Sequence, residues 1–110
     1  MSLESMRSII VDCRGVQSEA DFWSVYIRAT EPEGVEYFGR NLDAFWDGLH
    51  GGPGWPGQCE LRFVNTESLQ DLRNGQFVEA LRDIASRSTL VKVTLDLNGE
   101  SRSITRKLDV

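Results

Sequence analysis

The pattern of apolar residues along this chain predicts an α/β fold: a small three-stranded parallel sheet packed by helices, with an antiparallel strand added at the C-terminus. Three observations carry that prediction. Apolar, strand-like runs alternate with amphipathic helical stretches in the order β-α-α-β-α-β. Helices between strands imply right-handed crossovers, which join parallel neighbours. Asn98-Gly99 then follows the last run as a strong hairpin signal, so residues 100–107 are expected to return antiparallel as an edge strand. At 110 residues, 40% apolar and 26% charged, the chain fits one globular domain over 1–110. A chain of this length buries a core without help from a metal or a disulfide. Residues 1–7 read as a leader or a disordered segment and are given no part in the fold.

Each element has its own local reason. Residues 8–13 (Ser-Ile-Ile-Val-Asp-Cys) are an apolar, β-branched run that fits a buried strand. Ser18, with Asp21 following at capping-box spacing, starts a helix over 19–29. Phe22, Trp23, Tyr26 and Ala29 form its apolar face. Glu31-Pro32-Glu33-Gly34 breaks it. Asn41 is a good N-cap for a second helix, because its side-chain oxygen accepts a free N–H of the first turn. Asp43 lies in that turn, where the helix dipole favours negative charge. Gly51 and Gly52 end the helix, and Pro53-Gly54-Trp55-Pro56-Gly57 is loop. Residues 58–64 alternate as a half-buried strand does. Thr66 is expected to cap a short helical turn at 67–72, and Asn74-Gly75 to interrupt it. Phe77, Val78, Ala80, Leu81 and Ile84 mark a helix over 76–87, and residues 89–97 alternate at period two.

Charge is concentrated. The net charge is −5, and residues 31–60 hold six acids (Glu31, Glu33, Glu36, Asp43, Asp47, Glu60) against one base, Arg40. The remaining residues balance. This excludes a general nucleic-acid binder, which needs a basic footprint. The acidic third is either a solvated face or a surface that attracts a cationic partner. No apolar run approaches a membrane span, and no secretory leader pattern is present, so the expected compartment is the reducing cytoplasm. Cys13 and Cys59 are then expected as buried free thiols. With a single His, His50, and scattered cysteines, neither a metal site nor a cofactor is expected.

Residues 37–49 carry the most information. At 100° per residue, Leu42, Phe45 and Leu49 share one side of the helix, which must face the core. Asp43 and Asp47 share a second side, Trp46 lies on the border, and Ala44 and Gly48 leave the rest small. Like charges at this spacing cost a few tenths of a kcal/mol. Glycine inside a helix costs about 1 kcal/mol relative to alanine. Two readings stay open. In one, Asp43 serves the dipole, Asp47 is solvated and Trp46 is core. In the other, the acids wait for a cation and the small residues let a partner come close.

The string Tyr37-Phe38-Gly39, then Asn41-Leu42-Asp43-Ala44-Phe45-Trp46-Asp47, resembles the barstar family, intracellular inhibitors of secreted bacterial ribonucleases of the barnase type. Trp55-Pro56 matches an aromatic-Pro step of that family. The resemblance implies an inhibitory helix whose Asp47 enters a nuclease active site at a phosphate position, with Asp43 one turn earlier and Tyr37 and Trp46 beside them. It further implies a partner surface of Tyr37, Asn41, Asp43, Ala44, Trp46, Asp47, Gly51 and, on the last helix, Asp83. Two positions depart from the pattern: Gly52 stands where the family has an aromatic, and Arg40 stands at a place that is acidic in the best-known member.

The expected function is therefore a cytoplasmic, monomeric, one-to-one inhibitor of a secreted ribonuclease, with no nucleic-acid, membrane or cofactor requirement. The alternative keeps the binding module and changes its target: an immunity protein, antitoxin or regulator that meets another cationic nuclease or protein. An enzyme is the third class. Paired carboxylates serve acid–base chemistry, but Asp43 and Asp47 point the same way and no nucleophile–base set accompanies them.

Overall fold

The computed structural model describes residues 7–96. Three strands, β1 (Arg7–Asp12), β2 (Cys59–Val64) and β3 (Lys92–Leu95), form one parallel sheet in the order β1-β2-β3. Helix α1 (Glu19–Thr30), a 3₁₀ turn (Val35–Tyr37) and helix α2 (Leu42–Gly48) fill the first crossover. A 3₁₀ segment (Thr66–Gly75) and helix α3 (Gln76–Arg87) fill the second. The α/β prediction and the parallel sheet hold. The antiparallel strand expected at 100–107 and its Asn98-Gly99 turn lie outside the described residues, as do residues 1–6.

Strand order explains the layers. Both crossovers step the same way across the sheet, so right-handed connections put the helices on one face. The register runs Ile9↔Leu61↔Val93 and Val11↔Phe63↔Leu95 on the helix side. Leu61 and Phe63 are fully buried there, at the centre of the core. The other face carries Ile10↔Arg62↔Thr94. The expectation of a buried first strand is corrected accordingly. β1 is an edge strand of the described sheet, and Ile10, on the face away from the helices, is 56% exposed. Arg7, assigned to the leader by sequence, opens this strand, and its guanidinium donates to the Pro56 carbonyl at 3.0 Å.

Helix α1 begins as its residues dictate. Ser18 Oγ accepts the Asp21 N–H at 3.0 Å, while the Asp21 carboxylate reaches back to the Gln17 N–H at 3.0 Å. Phe22, Trp23 and Tyr26 are buried and form an aromatic cluster with Phe45, Phe63 and Phe77 at centroid distances of 4.7 to 6.3 Å. Thr66 does not cap a helix. Asn65, in the left-handed region at φ +56°, holds the cap position, and its side chain does not bond the helix's N–H groups. Thr66 Oγ1 instead donates to the Asp96 carbonyl at 3.0 Å, and Asn65 Nδ2 donates to Asp12 Oδ1 at 2.7 Å. Both residues tie the end of β2 to its neighbours. The interruption expected at Asn74-Gly75 starts earlier, with non-helical backbone at Leu72, Arg73 and Asn74. Cys13 and Cys59 are buried and free, as expected.

Candidate functional site

Helix α2 is short, and its neighbours hold it. Asn41 Oδ1 accepts the Ala44 N–H at 2.8 Å, and Asn41 Nδ2 donates to the Gly39 carbonyl at 3.2 Å. Phe45 and Leu49 are fully buried. Phe45 packs on Tyr26, Trp23 and Phe63. At the C-terminal end the Asp47 carbonyl accepts the Gly52 N–H at 2.9 Å and the His50 N–H at 3.0 Å. The helix therefore closes at Gly48, one turn before the glycines that sequence pointed to.

Of the two small residues, Gly48 has a different use from the close approach of a partner that one of the two open readings gave it. A Cβ on Gly48 would lie 3.1 Å from the Pro53 carbonyl oxygen and 3.2 Å from the Gly54 backbone. The chain's own loop takes that space, so Gly48 is small for the loop and not for a partner. The loop is itself pinned. Gly54 N–H donates to the Glu33 carbonyl at 2.7 Å, and Glu33 N–H donates to the Trp55 carbonyl at 3.0 Å. A Cβ on Gly54, at φ +92°, would stand 2.5 Å from the buried Phe38 ring, which rests on Trp23 and Tyr26.

This frame leaves the acidic side of α2 facing outward. Asp43 and Asp47 are both exposed, and neither carboxylate forms a hydrogen bond or ion pair among the described residues. Shallow clefts flank the helix. One, of about 260 Å³, brings Asp47 together with Tyr37 and Ala44 and is also lined by Gly39 and Pro53. Tyr37 is 76% exposed, an unusual position for a large aromatic. The other cleft brings Asp43 and Trp46 of α2 to Asp83 of α3.

The remaining predicted residues stand differently. Both polar ends of the Asn41 side chain are occupied within the molecule. Gly51 turns the chain at φ +97° in open space. Two residues that sequence reasoning missed touch Trp46. His50 packs on its ring at a centroid distance of 4.2 Å, with Nδ1 donating to the Trp46 carbonyl at 2.8 Å. The Arg87 guanidinium lies 5.1 Å from the ring centroid and pairs with Asp83 at 3.3 Å. Helical spacing from Asp83 was the available signal for the ion pair. Nothing in the sequence placed Arg87 beside Trp46.

Chemically, the surface offers carboxylates, one exposed phenol and one partly buried indole. Such a set suits binding a cation. Among the described residues no cluster of His, Cys, Asp and Glu is placed to hold a metal, and no helix is long and apolar enough to cross a membrane. A family model described as barstar (barnase inhibitor) matches residues 6–98. No curated protein matches the chain.

Proposed function

The chain belongs to the barstar family, and from that premise we propose that it is a one-to-one protein inhibitor of a secreted, barnase-type ribonuclease. It acts in the cytoplasm, needs no cofactor and catalyses nothing itself. One observation carries the reading: Asp43 and Asp47 stand exposed and without a partner among the described residues, on a helix whose other sides are fastened to the core and to loop 53–54. A ribonuclease holds RNA phosphates with cationic side chains. A carboxylate presented from a rigid support takes a phosphate position at little cost in ordering. Arginines on the partner would grip it in bidentate fashion. Tyr37 and Ala44 flank Asp47, and Trp46 and Asp83 flank Asp43. Asn41 contributes by holding the helix start, and Gly51 by turning the chain away. The net charge of −5 speeds approach to a basic cleft, and salt screens that pull.

The test is Asp47→Ala, read as the dissociation rate from a barnase-type ribonuclease and as urea stability. Leaving a partner cation buried without its carboxylate costs about 3 kcal/mol, so dissociation is expected to speed up by about a hundredfold. Stability should be unchanged or rise by a few tenths of a kcal/mol, because a like-charge pair is relieved. Unaltered dissociation would end the proposal. The Asp83–Arg87 pair favours a second reading, since it neutralises one carboxylate of the face. In that reading the target is a different cationic nuclease or protein, met as an immunity protein or antitoxin meets its toxin. Capture of such a target in preference to a barnase-type ribonuclease would select it.

A further inference from the structure

The cleft between α2 and α3 has a volume of about 310 Å³ and a lining of mixed chemistry. Leu42 and Ile84 supply apolar wall, Trp46 supplies an indole, and Asp43 and Asp83 place one carboxylate on each helix. Apolar walls suit the stem of a long cationic side chain, while carboxylates and a ring face suit its charged end. A planar guanidinium, which stacks and pairs at once, suits the combination better than an ammonium does.

The molecule already seats a guanidinium there. Arg87 Cζ lies 5.1 Å from the Trp46 ring centroid, and Arg87 Nη2 lies 3.3 Å from Asp83 Oδ2. Asp43, across the cleft, has no cation paired with it among the described residues. The seat is half used. The Arg87 and Asp83 side chains are each 62% exposed, so the contact is weakly held and open to exchange.

We infer that Arg87 is a built-in occupant of a guanidinium slot formed by Trp46, Asp43 and Asp83, and that it must swing out before an arginine of the partner can enter. The inference deepens the reading of this face as a partner surface and rests on it. Arg87 then sets specificity. It lowers the affinity of the slot for any cation and favours an arginine that engages Asp43 as well, which Arg87 does not pair with. A purely helix-stabilising Arg87 would satisfy the same i,i+4 spacing with Asp83, but its removal would leave the cleft's ligand preference unmoved.

N-acetyl-arginine amide is the probe, with N-acetyl-lysine amide as the charge control. Each is titrated at low salt into ¹⁵N-labelled protein, following the indole N–H of Trp46, assigned with Trp46→Phe. Arg87→Ala should bind the arginine amide about fivefold more tightly than the native chain (about 1 kcal/mol at about 1.4 kcal/mol per decade). Arg87→Gln, which keeps the stem and suits the helix, should show the same tightening. The lysine amide should bind more weakly than the arginine amide to both variants. Equal or weaker arginine-amide binding after removal of Arg87, or equal binding of the two amides, overturns the inference. No ribonuclease enters this experiment, so its failure leaves the inhibitor proposal to the Asp47→Ala measurement.

Discussion

Gly48→Ala is a substitution whose sign separates local from tertiary reasoning. Helix propensity alone says that replacing a glycine inside α2 stabilises the protein by about 1 kcal/mol. The structure says the reverse. The new methyl would sit 3.1 Å from the Pro53 carbonyl oxygen and 3.2 Å from Gly54 C and O, so loop or helix must give by a few tenths of an ångström. The loop cannot give freely, because Gly54 N–H is bonded to the Glu33 carbonyl at 2.7 Å and the Phe38 ring lies close against Gly54. Forcing an extra methyl into such a contact costs about 1 to 3 kcal/mol. Against the gain in propensity, the expected net loss is about 1 kcal/mol. With a urea slope of about 2 kcal/mol/M, the midpoint should fall by roughly 0.5 M. Urea unfolding followed by tryptophan fluorescence reads it. Gly54→Ala should be worse, losing at least about 3 kcal/mol, since it adds a left-handed backbone to a collision with a ring that Trp23 and Tyr26 hold in place. Gly51→Ala, at φ +97° in open space, should cost only about 1 to 2 kcal/mol. A Gly48→Ala protein as stable as the native chain, or more stable, would refute the claim that loop 53–54 braces the acidic helix.

Two further outcomes follow from buried polar groups. Burial pushes the Cys13 thiol from 9.0 up to about 12 and raises the Cys59 thiol and the Tyr26 phenol as well. Above pH 9 the unfolded chain releases protons that the folded chain keeps, so stability must fall as pH rises. For Cys13 the window runs from pH 9 to about 12, with a slope of about 1.4 kcal/mol per pH unit at most; urea midpoints at pH 8 and pH 10 should differ, and Cys13→Ala should shrink the difference. Thr66→Val should lose about 1 kcal/mol and no more, because the Asp96 carbonyl keeps the Thr66 N–H at 3.2 Å when the hydroxyl donor is removed.

The elements most legible in the sequence were those whose signals are local. The helix over 76–87 is read from its apolar spacing, and Ser18 and Asn41 are read as caps, because a cap bonds an N–H two or three residues away. Thr66 looked the same and was not, because a hydroxyl with two possible partners goes to whichever acceptor the sheet brings near, here the Asp96 carbonyl. Ile10 looked buried, because its neighbours are apolar; strand order then put it on the face away from the helices, where it is exposed.

For the site, the division is similar. The sequence by itself determined the family, the acidic helix and the pairing of Asp43 with Asp47 on one of its sides, since all of these rest on identity and on spacing within one turn. Only the tertiary structure decided that Gly48 is small to admit loop 53–54, that Asp43 faces Asp83 across a cleft, and that Arg87 comes to rest by Trp46. Those contacts join residues far apart in the chain, and their geometry exists only after the core has set the distance between α2 and α3.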